Sequence, residues 1–257
     1  MTMRLQIIPI PAFEDNYIWT LIEPDKRIAA CVDPGDAAPL LAYLKEEQLE
    51  LCAILITHHH WDHSGGIPDL LSKFDVPVYG PQGVDGVSQT MQGGDKINIA
   101  ALGLDLNVLD IPGHTLDHLA YYNDSMLFCG DTLFSSGCGR LFEGTPQQMH
   151  NSLSLLAALP AATLMYCGHE YTAANLKFAH TVEPNNAAVL ERITEVATLR
   201  EKGIASLPVK LSTELKTNPF LRCNNTDVIR AVEEHCANNL TSTVQVFTEL
   251  RRWKDNF

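Results

Sequence analysis

Over its first two-thirds the chain sets short apolar runs against turn residues. RIAACVDPGD, LCAILITHHH, LDLNVLDIPGHT, SMLFCGDTLF and ATLMYCGHEY each carry a run rich in Val, Ile, Leu, Phe or Tyr that stops at a small or polar turn residue, Gly, Pro or Asp in all but the second. Runs of that length with those stops predict buried strands. Between them, APLLAYLKEEQ, IPDLLSKF and PQQMHNSLSLLAAL space apolar residues three and four apart, which predicts helices. Strands interleaved with helices predict a layered α/β domain.

From about Ala174 the pattern becomes helical. NAAVLERITEVATLREKG places Val189, Ile193, Val196 and Leu199 on one face, with Gly203 as its stop. TDVIRAVEEH and TSTVQVFTELRRWKDNF also read as helices. In the last, Thr241 or Ser242 can cap, Phe247 and Leu250 form a buried stripe, and Arg251 and Lys254 share a face. The expected division is 1–173 and 174–257.

Charge sharpens that division. The net charge is -13, which disfavours nucleic acid and anionic membranes as partners. Residues 1–173 hold 7 Lys+Arg against 21 Asp+Glu, and the remaining residues hold 11 against 10, so cationic groups gather late. The sequence opens without a basic-plus-apolar leader and has no long apolar window, so neither secretion nor membrane spanning is expected. Seven cysteines without paired spacing suit a reduced, cytoplasmic setting. Most read as small buried hydrophobes, and Cys138, in SSGCGRLFEG, is kept apart as a candidate.

The densest chemistry is LITHHHWDHSGG. Four histidines within six residues would repel if protonated and would be costly if buried unpaired. A divalent metal removes both difficulties. His58 and His60 alternate on an extended strand end and can chelate one ion. Asp62 and His63 follow the turn and can face a second. His59 and Trp61 point away, toward packing or an outer shell. Three further segments end an apolar run on a ligand-type residue: His114 in DIPGHT, Asp131 in FCGDTLF and His169 in YCGHE. Jointly these are five histidines and two carboxylates, enough for two ions sharing Asp131. The mixed N/O set suits zinc, iron or manganese.

THHHWDHSGG, PGHT, GDTLF and GHEYT resemble the metallo-β-lactamase superfamily. With EDNYIW, VDPGD, GCGRLFEGT, NPFLR and LRRWKDNF the resemblance narrows to the glyoxalase II (hydroxyacylglutathione hydrolase) family and covers nearly the whole chain. It implies a four-layer αββα sandwich, 1–173, followed by a small helical glutathione-binding domain, 174–257. It implies that His58, His60 and His114 hold one metal, that Asp62, His63 and His169 hold the other, and that Asp131 and a hydroxide bridge them. Asp62 and Asp131 are thereby the catalytic carboxylates. It assigns glutathione contacts to Arg140, Tyr171, Arg251 and Lys254. Two positions depart from the family pattern: Asp117 replaces a glycine in GHTLDH, and Phe142 stands where some relatives have tyrosine.

The implied reaction is hydrolysis of S-D-lactoylglutathione to glutathione and D-lactate, the second step of methylglyoxal detoxification, at two divalent ions, zinc first. A monomer is expected. The alternatives are a glutathione persulfide dioxygenase or another hydrolase of the superfamily. A β-lactamase fits the motif but lacks a signal peptide. A nuclease fits it but not the charge. A non-enzymatic metal or electron-transfer module is the remaining class; flavin-linked di-iron relatives typically place a carboxylate where His60 sits, and no flavin domain is read here.

Overall fold

In the computed structural model, which describes residues 5–257, the chain starts on a hairpin that the apolar pattern does not single out. β1 (Gln6–Ala12) pairs antiparallel with β2 (Asn16–Glu23). Pro9 and Pro11 obscure β1, because proline removes ladder donors and is confined largely to sheet edges. β1 is an edge strand, so both are accommodated. The sheet continues through β3 (Ile28–Val32), β4 (Glu50–Leu55), β5 (Val78–Gly80) and β6 (Gln89–Thr90), in that order and parallel from β3 onward. Crossing from β3 to β4 is α1 (Ala37–Glu46), whose first turn is capped by the Asp36 carboxylate accepting from the Ala38 amide. α2 (Trp61–Ser64) and α3 (Ile67–Leu71) follow β4.

A second set of strands is antiparallel, in the order β10 (Met126–Gly130), β9 (Leu119–Tyr122), β8 (Leu104–Asp110), β7 (Lys96–Ile99). One compact unit contains both sets except for Met126 at the start of β10: residues up to Asp110 together with Asp117–Asn123 and Leu127–Gly130. One face of the first sheet packs Ile18, Cys31 and Ile54 against Leu40, Leu44 and Leu70 of α1 and α3. β2 is buried along its full length, as in a strand covered on both faces. The Tyr121 hydroxyl on β9 donates to the Ile56 carbonyl beyond β4 (2.5 Å), and the Leu119 amide donates to the Thr57 carbonyl (2.8 Å), which ties the two sets together.

The other unit comprises Ile111–Leu116, Asp124–Met126 and Asp131–Phe257. It holds a small hairpin of β11 (Leu133–Phe134) and β12 (Gly137–Cys138), and the antiparallel pair β13 (Leu164–Cys167) and β14 (Val209–Lys210). Its helices are α4 (Pro146–Ala157), α5 (Thr172–Val182), α6 (Ala187–Glu201), α7 (Leu211–Thr217), α8 (Thr226–Cys236) and α9 (Thr243–Asp255), with a 3-10 turn at Pro219–Leu221. Thr145 and Gln148 close a capping box on α4. Ser242, one of the two expected caps, accepts from the Gln245 amide to start α9. α6 buries Val189 and Val196, with Ile193 partly covered, and ends just before Gly203, whose φ of 67° is the left-handed stop the pattern predicts. Among the described residues, no helix is long and apolar enough to cross a membrane.

Candidate functional site

β4 ends at Leu55, and the next eight residues deliver four donors. The loop is built around one buried carboxylate, Asp33 in VDPGD. Asp33 accepts from the Thr57 amide and the Thr57 hydroxyl, each at 2.7 Å, and from His63 Nδ1 at 3.0 Å. These bonds set proton positions. A carboxylate only accepts, so the Thr57 hydroxyl gives its proton to Asp33 and must itself accept from His58 Nδ1, 3.0 Å away. The network thus assigns the Nδ1–H tautomer to both His58 and His63, which makes Nε2 the acceptor nitrogen of each ring.

His58 Nε2 faces His60 Nδ1 at 3.1 Å, and His63 Nε2 lies 3.5 Å from Asp62 Oδ2. Asp62 is steadied by Asn16, whose amide donates to its carbonyl (3.3 Å) and to Oδ2 (3.1 Å). Gly35 permits this approach, because a Cβ there would fall 1.8 Å from the Asp62 carbonyl oxygen. His58 is also stacked on His118, with centroids 4.5 Å apart and planes at 13°. His59 turns outward and pairs with Asp117 at 3.0 Å, with 42% of the His59 side chain exposed. Asp117, which stands where the family pattern has glycine, therefore partners the histidine expected to point away from the ions. Trp61 is 68% exposed and meets the Phe13 ring edge-to-face.

The other unit gathers its donors on Asp131. His169 Nε2 lies 3.2 Å and His114 Nε2 3.5 Å from the same atom, Asp131 Oδ2. His114 Nδ1 donates to the Arg140 carbonyl at 2.9 Å, which again directs Nε2 inward. The His169 ring is stacked on Tyr171 (4.7 Å, 5°), and the Phe134 ring stands edge-on to Tyr171. Phe142, 62% exposed, meets the His114 ring at 5.1 Å.

The donor spacings test whether this chemistry fits a divalent ion. Ligand bonds of about 2.0–2.1 Å at tetrahedral angles place neighbouring donors about 3.3 Å apart. Each of the four donor pairs above falls close to that value. Donors of this kind, buried except for the half-buried His60 and Asp62 and several of them oriented by outer hydrogen bonds, fit the pair of ions that the motif implies.

α9 contributes the expected cations on the same unit. Lys254 is half-buried, and its pKa is lowered by burial first and then by Arg251 and Arg140, so these three cations lie within electrostatic reach of one another. Arg140 is exposed. Arg251 is different: only 5% exposed, it donates to the Cys138 carbonyl at 2.9 Å and to Asp255 at 2.8 Å, with its guanidinium 5.1 Å over the Phe220 ring. Cys138, kept as a candidate, is a buried thiol whose pKa is raised by burial, partly offset by Arg251. Asp33, Thr57 and Asn16 are not among the residues singled out by sequence. VDPGD and EDNYIW signalled two of them only as motifs.

Residues 19–169 match the family model for the metallo-beta-lactamase superfamily, and residues 170–257 match that for the hydroxyacylglutathione hydrolase C-terminus. A hydroxyacylglutathione hydrolase of Alkalilimnicola ehrlichii is 52% identical over 97% of this chain and 98% of its own. One from Ectopseudomonas mendocina is 51% identical over 98% of this chain and 100% of its own. Among solved structures, ETHE1 from Myxococcus xanthus superposes with a TM-score of 0.65 at 23% identity, covering 98% of each chain. The fold is α/β, a metallo-β-lactamase domain followed by a helical C-terminal region, and its His/Asp clusters are those of a binuclear divalent-metal enzyme. By sequence and by fold, the chain belongs to the hydroxyacylglutathione hydrolase family of the metallo-β-lactamase superfamily.

Proposed function

We propose that this enzyme hydrolyses S-D-lactoylglutathione, and S-2-hydroxyacylglutathiones generally, to glutathione and the free hydroxy acid, completing methylglyoxal detoxification as a cytoplasmic monomer. The observation that carries the reading is the convergence of His114 and His169 on one oxygen of Asp131. A carboxylate placed between two imidazoles is suited to be shared by two ions. Relatives near 50% identity over the whole chain carry the hydrolase name, which does not favour the persulfide dioxygenase alternative.

In this reading His58, His60 and His114 hold one ion, Asp62, His63 and His169 hold the other, and Asp131 is common to both. Zinc is the first choice, with iron and manganese as alternatives. When bound, the ions would lower the pKa of coordinated water toward 7, supplying hydroxide and stabilising negative charge on the thioester oxygen. The chain's residues do the rest. Asp33 and the Arg140 carbonyl hold the tautomers that present Nε2. The leaving thiolate has a conjugate acid of pKa about 8.5, so departure requires little from a general acid. Arg140, Arg251 and Lys254 supply positive charge for the two glutathione carboxylates, and Tyr171 offers its hydroxyl to the peptide. Residues 1–173 form the catalytic part, and 174–257 the glutathione-binding part.

The test is a metal-depleted preparation reconstituted with zinc, iron or manganese and assayed for thiol release from S-D-lactoylglutathione. Activity is expected to return, saturating near two ions per chain. No turnover with any ion would overturn the reading, as would oxygen consumption with glutathione persulfide in place of thioester cleavage.

A further inference from the structure

Asp131 and Arg140 stand at the two ends of the β11–β12 hairpin, so the hairpin decides where two parts of the site lie. Asp131 precedes it. Arg140 follows it, and the Arg140 carbonyl holds His114 Nδ1 at 2.9 Å. Gly139 closes the hairpin back onto its start, with its amide donating to the Thr132 carbonyl at 3.2 Å.

The hairpin is gripped from α7 and the turn after it. Glu214 is completely buried. The Ser135 hydroxyl (2.8 Å) and the Ser136 amide (2.7 Å) donate to its carboxylate. The Asn218 amide donates to the carbonyls of Phe134 (3.1 Å) and Gly137 (2.9 Å), and to Glu214 Oε2 at 3.2 Å. The Ser136 hydroxyl reaches Thr217 Oγ1 at 3.2 Å, and the Asn175 amide reaches the Ser135 carbonyl at 3.1 Å. Ser136 has a φ of 56°, a left-handed conformation that a serine rarely adopts unless its surroundings impose it. Burial pushes the Glu214 pKa up against the pull of its three hydrogen bonds. A buried carboxylate is a costly way to fill space, and an apolar side chain would serve packing alone better.

We infer that Glu214, together with Asn218, is a positioning residue that holds the β11–β12 hairpin so that Asp131 and His114 stay aimed at a common point. Its effect is read in metal retention and turnover, whatever change in glutathione binding follows through Arg140 at the other end of the hairpin. This rests on the proposed roles of Asp131 and His114 as metal ligands.

The test uses the full chain carrying Glu214→Gln, Glu214→Leu or Asn218→Ala. Each is measured for folding, for metal affinity by competition with a chromophoric chelator, and for kcat and KM on S-D-lactoylglutathione. Glu214→Gln still accepts from the Ser136 amide, and the Ser135 hydroxyl can reverse to accept from it, so wild-type behaviour within a few-fold is expected. Glu214→Leu and Asn218→Ala are expected to weaken metal affinity about 10- to 100-fold and to reduce kcat, with or without a change in KM. A lower melting temperature with wild-type metal affinity and kcat would overturn the inference, as would an effect confined to KM. If Glu214→Leu does not fold, Asn218→Ala decides on the same criteria. A wild-type protein that neither binds metal nor cleaves the thioester would instead defeat the functional reading.

Discussion

Arg251 and Lys254 lie three residues apart, yet their surroundings differ. The Lys254 ammonium lies near the rings of Phe178 and Phe257, half-buried among cations that lower its pKa. An anionic ligand would relieve that repulsion. The Arg251 guanidinium is already bonded to the Cys138 carbonyl and to Asp255. Lys254→Ala is therefore expected to raise KM for S-D-lactoylglutathione about tenfold, ~1.4 kcal/mol, with kcat held within about twofold. Arg251→Ala should lower kcat as well, because it releases the hairpin that carries Asp131. Steady-state kinetics of the two variants separate these outcomes, and a pure KM effect in both would confine Arg251 to binding. At the same scale, Asp33 shows how one carboxylate can dictate two ring tautomers, directly at His63 and through Thr57 at His58.

Short elements carry the donors, and close backbone contacts hold them. The VDPGD turn passes so near the histidine loop that Gly35 has no room for a side chain, and Gly139 plays the same part in the β11–β12 hairpin. A Cβ at Gly139 would fall 1.9 Å from the Asp131 carbonyl oxygen and 3.1 Å from His114 Nδ1. The nearest atom is backbone, so rotamer changes cannot relieve the clash. Gly139→Ala is expected to destabilise the fold by about 1–3 kcal/mol, as for other overpacked sites. Urea denaturation measures this, and a variant as stable as the wild type would show that the hairpin can open there at little cost. The apolar pattern located β3, β4, β8, β10 and β13, and donors follow four of these strands directly. Among the nine described strands it passed over are β1, where prolines mask a strand, and β11 and β12, two residues each, too short to show any period.

At the scale of the whole chain, the proposed ligands are spread from His58 to His169, so an unfolded chain offers no preformed site. Metal binding is then linked to folding. At 100-fold excess over its dissociation constant, an ion that binds only the native state adds about 2.7 kcal/mol of stability. Thermal unfolding should shift upward with zinc and downward with a chelator, and a melting temperature indifferent to both would count against these donors. Acidic charge is concentrated in the first two-thirds of the chain and cations in the rest, the part to which the proposal assigns the contacts with the two glutathione carboxylates.

Much of this protein is legible in its sequence, and the reason is locality. Periodicity within ten or fifteen residues marks strands and helices. Ligand chemistry is a property of side-chain type, so THHHWDHSGG, PGHT, GDTLF and GHEYT, weak one by one, together mark a candidate donor set. What the sequence could not reveal depends on pairings across long separations. Asp33 meets His63 from 30 residues away, Ser135 meets Glu214 from 79, and Arg251 meets Cys138 from 113. No local pattern encodes such pairs. Only the folded chain decides which nitrogen carries a proton, which arginine is buried, and which carboxylate steadies the hairpin.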